Sequence, residues 1–548
     1  MIKRILKYFL FSILALFVIT FCILLYYSEN SPSLPLNKKL HDLKVTEINS
    51  KLSVCGDSWM HLSDDGLYEI YVHGNPLQRG AKIGALSKTL IQNQEEVFVS
   101  EIEKILPSKT FMHTMKYFVG LFNRNLGEDI PEEYKEEIYG ISNYASSDYN
   151  YIGTPYQRIM NYHSAHDIGH AVQLLGLVGC TSVGVCKEKS KDSTLYLARN
   201  FDFYFGEDFA KDKIVMFIDP TNGYKHSIIT WGGMIGCVSG MNDQGLAIVL
   251  NAAPSPPPTH SGTPVSILAR EILQYASTID EALAIAKKYK TFVSEQFIIA
   301  SAKDQKVCSI DKLEDKTALY DSGKYITSYT NHFHSDNIYT ADSAISFASR
   351  YRYKKCQDLI KQDSLLGKKE LIALLRNDKD LSGQPIGYGN EMTINQYVSH
   401  HSILFAPEKN IFWISTGPYQ EGKFVAYNLD SVFNNPKVAI ESMPLQGQEI
   451  EADSLKTDIA YRVQKQRMLL QKIENEDQFE AYIHESINLN PDYYLCYYKI
   501  GKRYFKEEDY QNAQEYLNKA LMFRISHPKD ADEILALLKK CKINQNSK

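Results

Sequence analysis

Cys180 stands where an apolar run, Leu174-Leu175-Gly176-Leu177-Val178-Gly179, meets the polar pair Thr181-Ser182, with Arg199-Asn200-Phe201-Asp202 some twenty residues downstream. A lone cysteine is ordinarily a small buried hydrophobe. A thiol between a strand-like run and a turn, followed by an arginine and an aspartate, has the setting of a nucleophile. To attack an amide or thioester carbonyl, the thiol needs a base or a nearby positive charge, because little of it is ionised at neutral pH. His226, His260, His332, His334, His400 and His401 lie in no recognisable local signature. An α-amino group, with a pKa of about 8, is the alternative base. It becomes available if the Gly179–Cys180 bond is cut, and glycine at 179 lets the thiol approach the preceding carbonyl without a side-chain clash.

The other requirements follow in chain order. Arg199 can stabilise the thiolate, and Asp202 can orient the new amine or Arg199. Asn251 ends the apolar strand Leu246-Ala247-Ile248-Val249-Leu250, and Asn331 sits in Thr330-Asn331-His332-Phe333. Side-chain amides at strand ends are suitable oxyanion donors.

The elements that must position these residues read in three parts. Residues 1–30 hold Lys3, Arg4 and Lys7 before an uncharged run from Tyr8 to Tyr27, about the twenty residues that cross a bilayer, with no small-residue cleavage site at its end. The basic flank predicts a signal anchor that leaves the bulk of the chain extracytoplasmic, in the periplasm or outside the cell. Residues 31–64 read as a Pro- and Ser-containing linker. A strand over Leu67–Val72 leads into Gly74, Gly80 and Gly84, which suggest a tight turn opening a helix. No GK[ST] follows, so this is not a phosphate loop. Helical periodicity predicts helices over Ile83–Leu106, Pro131–Ala145 and Gln157–Leu174.

Beyond Cys180 the character changes to short β-rich runs: Thr194–Ala198, Lys213–Ile218, Ser227–Thr230, Ala247–Asn251, Phe297–Ala300 and Val307–Asp311, then His401–Phe405 and Ile411–Thr416. Helices are predicted at Val265–Tyr275, Ile279–Tyr289 and Ser343–Gln362. The alternation argues for a layered α/β protein. From about 455 to 548 the pattern is helical. There Tyr497, Ile500, Gly501, Tyr504, Ala513, Leu517 and Ala520 fit the tetratricopeptide template except for its terminal proline. About one and a half repeats are too few for a free-standing solenoid, so this part packs on the main domain or completes its repeat on a protein partner.

Composition excludes other classes. The 548 residues carry a net charge of −5 and no basic field for nucleic acid. The nine cysteines are scattered without CxxC pairs, and reserving Cys180 leaves an odd number beyond the N-terminal run, so this is neither a disulfide scaffold nor a zinc site. No cofactor or metal is expected.

Taken together, Gly179-Cys180-Thr181-Ser182, Arg199-Asn200-Phe201-Asp202, Gly240-Met241-Asn242 with Gly245-Leu246 and Asn251, Thr330-Asn331-His332-Phe333, and Ser346 with Ser349-Arg350-Tyr351 resemble the N-terminal-nucleophile cysteine amidohydrolases. That superfamily includes choloylglycine hydrolases, acid ceramidase and, most similar here, peptidase family C45, the acyl-coenzyme A:6-aminopenicillanate acyltransferases. The resemblance covers about residues 65–425. It implies a four-layer αββα sandwich, of mixed α/β (α+β) class, with a helical pro-segment over 65–179 and a catalytic domain over 180–430. It also implies that Cys180 is nucleophile and new N-terminus, that Arg199 and Asp202 hold its amine and thiol, that Asn251 and Asn331 serve the oxyanion, and that Arg350 supports the nucleophile region. The anchor and the tetratricopeptide-like tail are additions to that pattern.

The expected function is self-processing at Gly179–Cys180, followed by hydrolysis or transfer of an acyl group from a small-molecule N-acyl amide or other acyl donor. Two alternatives stand beside it: a catalytically silent envelope scaffold that binds a partner through its tail, and an unprocessed cysteine peptidase using His332 or His401.

Overall fold

The computed structural model describes residues 2–29, 43–105, 126–164, 179–254, 262–335, 347–363 and 365–546, with the isolated positions 108, 116, 117, 119, 120, 123, 167 and 338. The apolar run at 174–178, the end of the helix expected up to Leu174, and residues 343–346 lie outside them. So do most of the Pro-rich stretch 252–263 and nearly all of 336–342.

In chain order the elements are α1 (Ile2–Glu29), β1 (Thr46–Glu47), β2 (Leu52–Cys55), β3 (Ser58–Leu62), β4 (Tyr68–Gly74), α2 (Pro76–Leu86), α3 (Lys88–Ile105), α4 (Glu132–Ser142) and α5 (Pro155–His163). Then come β5 (Thr181–Val185), β6 (Tyr196–Asp202), β7 (Ile214–Pro220), β8 (His226–Thr230), β9 (Ser239–Asn242), β10 (Leu246–Ala252), α6 (Val265–Tyr275) and α7 (Ile279–Lys288). These are followed by β11 (Glu295–Ser301), β12 (Lys306–Lys312), β13 (Thr317–Tyr320), β14 (Ile326–Tyr329), α8 (Phe347–Gln362) and α9 (Lys368–Leu375). The chain continues with β15 (Ser399–Ala406), β16 (Ile411–Ser415), β17 (Phe424–Asn428), α10 (Ser454–Asn475), α11 (Glu480–Leu489), α12 (Tyr494–Lys506), α13 (Tyr510–Ala520) and α14 (Pro528–Asn546).

Two sheets form the centre. One runs β1-β2-β3-β4-β7-β8-β9-β10-β11-β12-β13, the other β14-β5-β6-β15-β16-β17. Their facing sides share one apolar core, in which Val215 and Phe217 of β7 meet Ile403, Phe405, Phe412 and Tyr427 of the second sheet. The outer face of the large sheet packs on α4, α5, α6 and α7 through Ile138, Ile159, Leu268 and Ala282. The outer face of the small sheet packs on α8 and α9 through Cys356 and Leu371. Helices, sheet, sheet and helices thus succeed one another, because each strand buries both of its alternating faces.

The region before Cys180 differs from a linker plus a helical segment. Residues 46–62 are strands, not linker: Gly56, at φ 65°, lets the β2–β3 hairpin close where Leu52 and Val54 alternate with polar neighbours. β4 then pairs in parallel with β7 from Tyr68↔Ile214 to Gly74↔Pro220, so residues before and after Cys180 share one sheet. Gly74, at φ 135°, makes the turn into α2. Gly80 and Gly84 instead lie within that helix. There Gly80 lets its backbone cross that of α4, since a Cβ would fall on the Glu137 carbonyl. The crossing is locked by the buried Arg79–Glu137 ion pair at 2.8 Å.

The anchor expectation is not supported. Ile2–Glu29 is one continuous helix of 28 residues, and most of its described apolar side chains are exposed, among them Phe11 and Phe17. Among the described residues, however, no helix is long and apolar enough to cross a membrane.

At the other end, α10–α14 build a separate core. Gly501 sits against Leu517, where a Cβ would stand 2.8 Å from the leucine side chain. This region also docks on the sheets: Arg467 of α10 donates to the Tyr397 carbonyl at 2.8 Å and meets Glu207 at 3.3 Å.

Candidate active site

β5 begins immediately after Cys180 and pairs with β6, Thr181 opposite Asn200 and Ser182 opposite Arg199. Side chains alternate along β6, so Arg199 and Phe201 point between the sheets while Asn200 and Asp202 point to the helix layer over the small sheet. Cys180 therefore lies between two sets of partners.

From the inter-sheet side, Arg199 places Nη2 3.4 Å from Cys180 Sγ. The guanidinium is fixed by Nη1 donating to Val238 O and Ser239 Oγ, both at 2.8 Å, and by a short bond from Nη2 to Leu250 O. It stacks over Phe201 with Cζ 4.3 Å from the ring centre. Five donors in a planar fork suit such a multiple clamp. Asn251 stands on β10 next to Leu250 and accepts from Ser182 Oγ at 3.1 Å. Its Nδ2 is buried and, among the described residues, has no hydrogen-bond acceptor.

On the helix side, Asp202 accepts a short bond from Ser399 on one oxygen and a 3.1 Å bond from Gln396 Nε2 on the other. A break in register between Ser399 and His401 on β15 turns Ser399 towards Asp202. The Gln396 amide also donates to Gly179 O at 2.8 Å, and Gly179 N donates to Asp202 O at 3.0 Å. Both sides of the expected scissile bond are thus held by buried polar groups.

Arg350 does not reach this place. It is exposed on α8, and the arginine that does reach it is Arg352, two residues on. Arg352 donates through Nη1 to Cys180 O at 2.5 Å and Thr181 Oγ1 at 3.1 Å, and through Nη2 to Asn331 Oδ1 at 2.8 Å. Asn331 spends one of its two amide hydrogens on Ala252 O at 2.9 Å. Asn331 is therefore anchored in framing the site with one amide hydrogen still to give, and the Asn251 amide has given neither of its two. Sequence reasoning missed Arg352 and Gln396; a second arginine in Ser349-Arg350-Tyr351-Arg352 was the one signal available for the former.

Burial shapes the electrostatics. Cys180 is 1% exposed, and desolvation raises its thiol pKa against the opposing pull of Arg199. Burial also lifts the Asp202 carboxyl to about 7, although Ser399, Arg352 and Arg199 act in the other direction. The histidines of the alternative peptidase reading have other partners than the thiol: His401 Nε2 meets Ser239 Oγ, which also holds Arg199, at 2.9 Å, and His332 Nδ1 meets Ser349 Oγ at 2.9 Å. Burial keeps both neutral, His401 well below its ordinary value and His332 at about 3. Among the described residues no group of histidine, cysteine and carboxylate side chains could hold a metal ion.

Residues 186–418 match the family model "Acyl-coenzyme A:6-aminopenicillanic acid acyl-transferase". The resemblance to that family holds over this stretch. It takes in Arg199, Asp202, Asn251, Asn331, Arg352 and Gln396 and begins six residues after Cys180. An uncharacterised protein of Archaeoglobus fulgidus is 22% identical over 254 residues, 44% of this chain and 42% of its own. Protein dcd1B of Dictyostelium discoideum is 24% identical over 255 residues, 43% of this chain and 47% of its own. The chain thus spans less than half the length of these curated relatives. Among solved structures, an N-acylethanolamine-hydrolyzing acid amidase ortholog from Caenorhabditis elegans is 17% identical with a TM-score of 0.30, covering 42% of this chain and 93% of its own. A mutant of conjugated bile acid hydrolase from Clostridium perfringens is 12% identical with a TM-score of 0.33, covering 45% of this chain and 92% of its own.

Proposed function

We propose that this protein is a self-processing cysteine amidohydrolase or acyltransferase that carries the acyl group of an N-acyl amide on Cys180. The observation that carries the reading is the pairing at one residue: Arg199 on the Cys180 thiol, and a buried amide donor on the carbonyl just before it. In the uncut chain the thiol is enclosed and its pKa is raised, and its own nitrogen is an amide with no basicity. Cutting Gly179–Cys180 opens the site and turns that nitrogen into a base of about the right pKa for neutral solution.

In the reaction the new α-amine takes the thiol proton, Sγ bonds to the substrate carbonyl carbon, and the charge on oxygen falls to the unused Nδ2 of Asn251. Collapse expels the amine with a proton, leaving a thioester that water or a second amine resolves. A recess lined by Phe98, Tyr162, Phe203, Phe209 and Trp231, with Gln94 and Glu95 also on its wall, lies beside the stacked rings of Phe201 and Phe203 and supports a largely apolar acyl group. The two pieces would stay together through the β4–β7 pairing and the helices packed on the large sheet.

The extracytoplasmic placement rests on the basic flank and apolar run of residues 3–27, and hydrolysis is favoured over coenzyme A use for that reason. A partner-binding role for α12 and α13 rests on the repeat pattern alone.

Mixing purified protein with a p-nitrophenyl acyl ester and mapping adducts by peptide mass tests the chemistry. The acyl mass is expected on the Cys180 peptide and to vanish in Cys180→Ala. An adduct elsewhere, equally abundant in the variant, rejects the assignment and favours the scaffold reading.

A further inference from the structure

Gln396 has no role in the reaction described above, yet it is bound to the bond that must break. It is 4% exposed and enters from the stretch between Asn390 and Ser399. Its Nε2 donates to Gly179 O at 2.8 Å and to Asp202 Oδ2 at 3.1 Å, one acceptor for each amide hydrogen. A Cβ on residue 179 would stand 2.5 Å from Nε2 and 2.6 Å from Oε1, so the contact exists only because that residue is glycine. The backbone behind it is braced from the C-terminal helices: Arg467 donates to Gln396 O at 3.4 Å and to Tyr397 O at 2.8 Å. Swinging the amide away would cost both hydrogen bonds at once.

We propose that Gln396 is a catalytic residue of the Gly179–Cys180 self-cleavage, its amide donating to the Gly179 oxygen as that oxygen becomes an oxyanion. The role rests on the self-cleavage reading given above. Cys180 Sγ bonds to the Gly179 carbonyl carbon, the π pair moves onto oxygen, and the thiol proton is the one passed to the departing Cys180 nitrogen. When the tetrahedral centre collapses, the C–N bond breaks and the departing Cys180 nitrogen takes a proton, leaving Gly179 as a thioester on Sγ. One water then hydrolyses the thioester to a Gly179 carboxylic acid and a free thiol. The sum is one peptide bond and one water giving one acid and one amine, with no redox change. A donor already in place on the carbonyl strengthens its bond as negative charge grows, which is the form of binding that lowers a barrier. Once Gly179 has left, Gln396 loses that acceptor, so its effect falls on maturation more than on turnover.

The test follows fragment formation over time by intact mass in the full-length chain, comparing wild type, Gln396→Met, Gln396→Glu and Cys180→Ala across pH. Gln396→Met is expected to slow cleavage by about 10²-fold, as loss of one oxyanion donor does elsewhere. The ratio of Gln396→Glu to wild-type rates is expected to rise as pH falls, because a protonated carboxyl can donate and a carboxylate cannot. A wild-type rate in Gln396→Met overturns the proposal. Equal slowing of both variants at every pH overturns it too, by reducing Gln396 to packing. If wild type itself stays whole, all four proteins share one uncut form, and the self-cleavage reading fails along with this role.

Discussion

Replacing Arg199 with methionine is expected to slow both self-cleavage and acyl transfer by about 10- to 1000-fold at neutral pH. A positive charge in contact with an acidic group favours its anionic form by about 1–3 pKa units. The Cys180 thiol is already raised by burial, and the adjacent Arg199 guanidinium is the main influence holding it down. Removing the guanidinium therefore moves the thiol pKa further up, so at a fixed pH below it the thiolate fraction falls tenfold per unit. The sign predicts an alkaline shift of the pH–rate profile. A profile that keeps its midpoint and only loses height would mean that Arg199 braces β9 and β10 without tuning the thiol. Arg199→Lys should rescue little, because a single ammonium cannot reach Val238 O, Ser239 Oγ and the thiol together.

The second large effect is expected at Arg352. Arg352→Met leaves Cys180 O, Thr181 Oγ1, Asn331 Oδ1 and Glu391 O without their buried donor. Unpaired buried acceptors cost about 1–3 kcal/mol each before relaxation, so a loss of several kcal/mol in chemical denaturation is expected, with at least about a hundredfold loss of activity. Arg350→Met, on the exposed side of the same helix, should change stability by less than about 1 kcal/mol. Equal effects of the two substitutions would contradict the placement of Arg352 at the nucleophile.

Much of this site could be read from the chain because its members stand at strand ends. Arg199 and Asp202 occupy one strand paired with the one that starts after Cys180, Asn251 closes an apolar run near the end of β10, and Asn331 lies two residues beyond the end of β14. The arginine on α8 was assigned two residues early. Positions i and i+2 on a helix lie on nearly opposite faces, and no local pattern chooses between two arginines in one turn. Gln396 was invisible because it belongs to an irregular stretch with no motif, and only the tertiary fold sets it against Gly179. The strands at 46–62 were hidden by their shortness, since a two-residue hairpin around Gly56 gives little periodicity to count. The layered α/β architecture was legible from alternation, whereas the sharing of one sheet by residues on both sides of Cys180 depends on the long-range β4–β7 pairing that local pattern does not encode.

The central claim is that Gly179–Cys180 is the first substrate of this protein. Intact mass with N-terminal sequencing of the purified wild-type chain and of Cys180→Ala tests it most directly. The expected result is a wild-type fragment whose first residue is Cys180, and a Cys180→Ala chain that is never cut there. A wild-type protein that turns over an acyl substrate while Gly179 and Cys180 remain joined would contradict it.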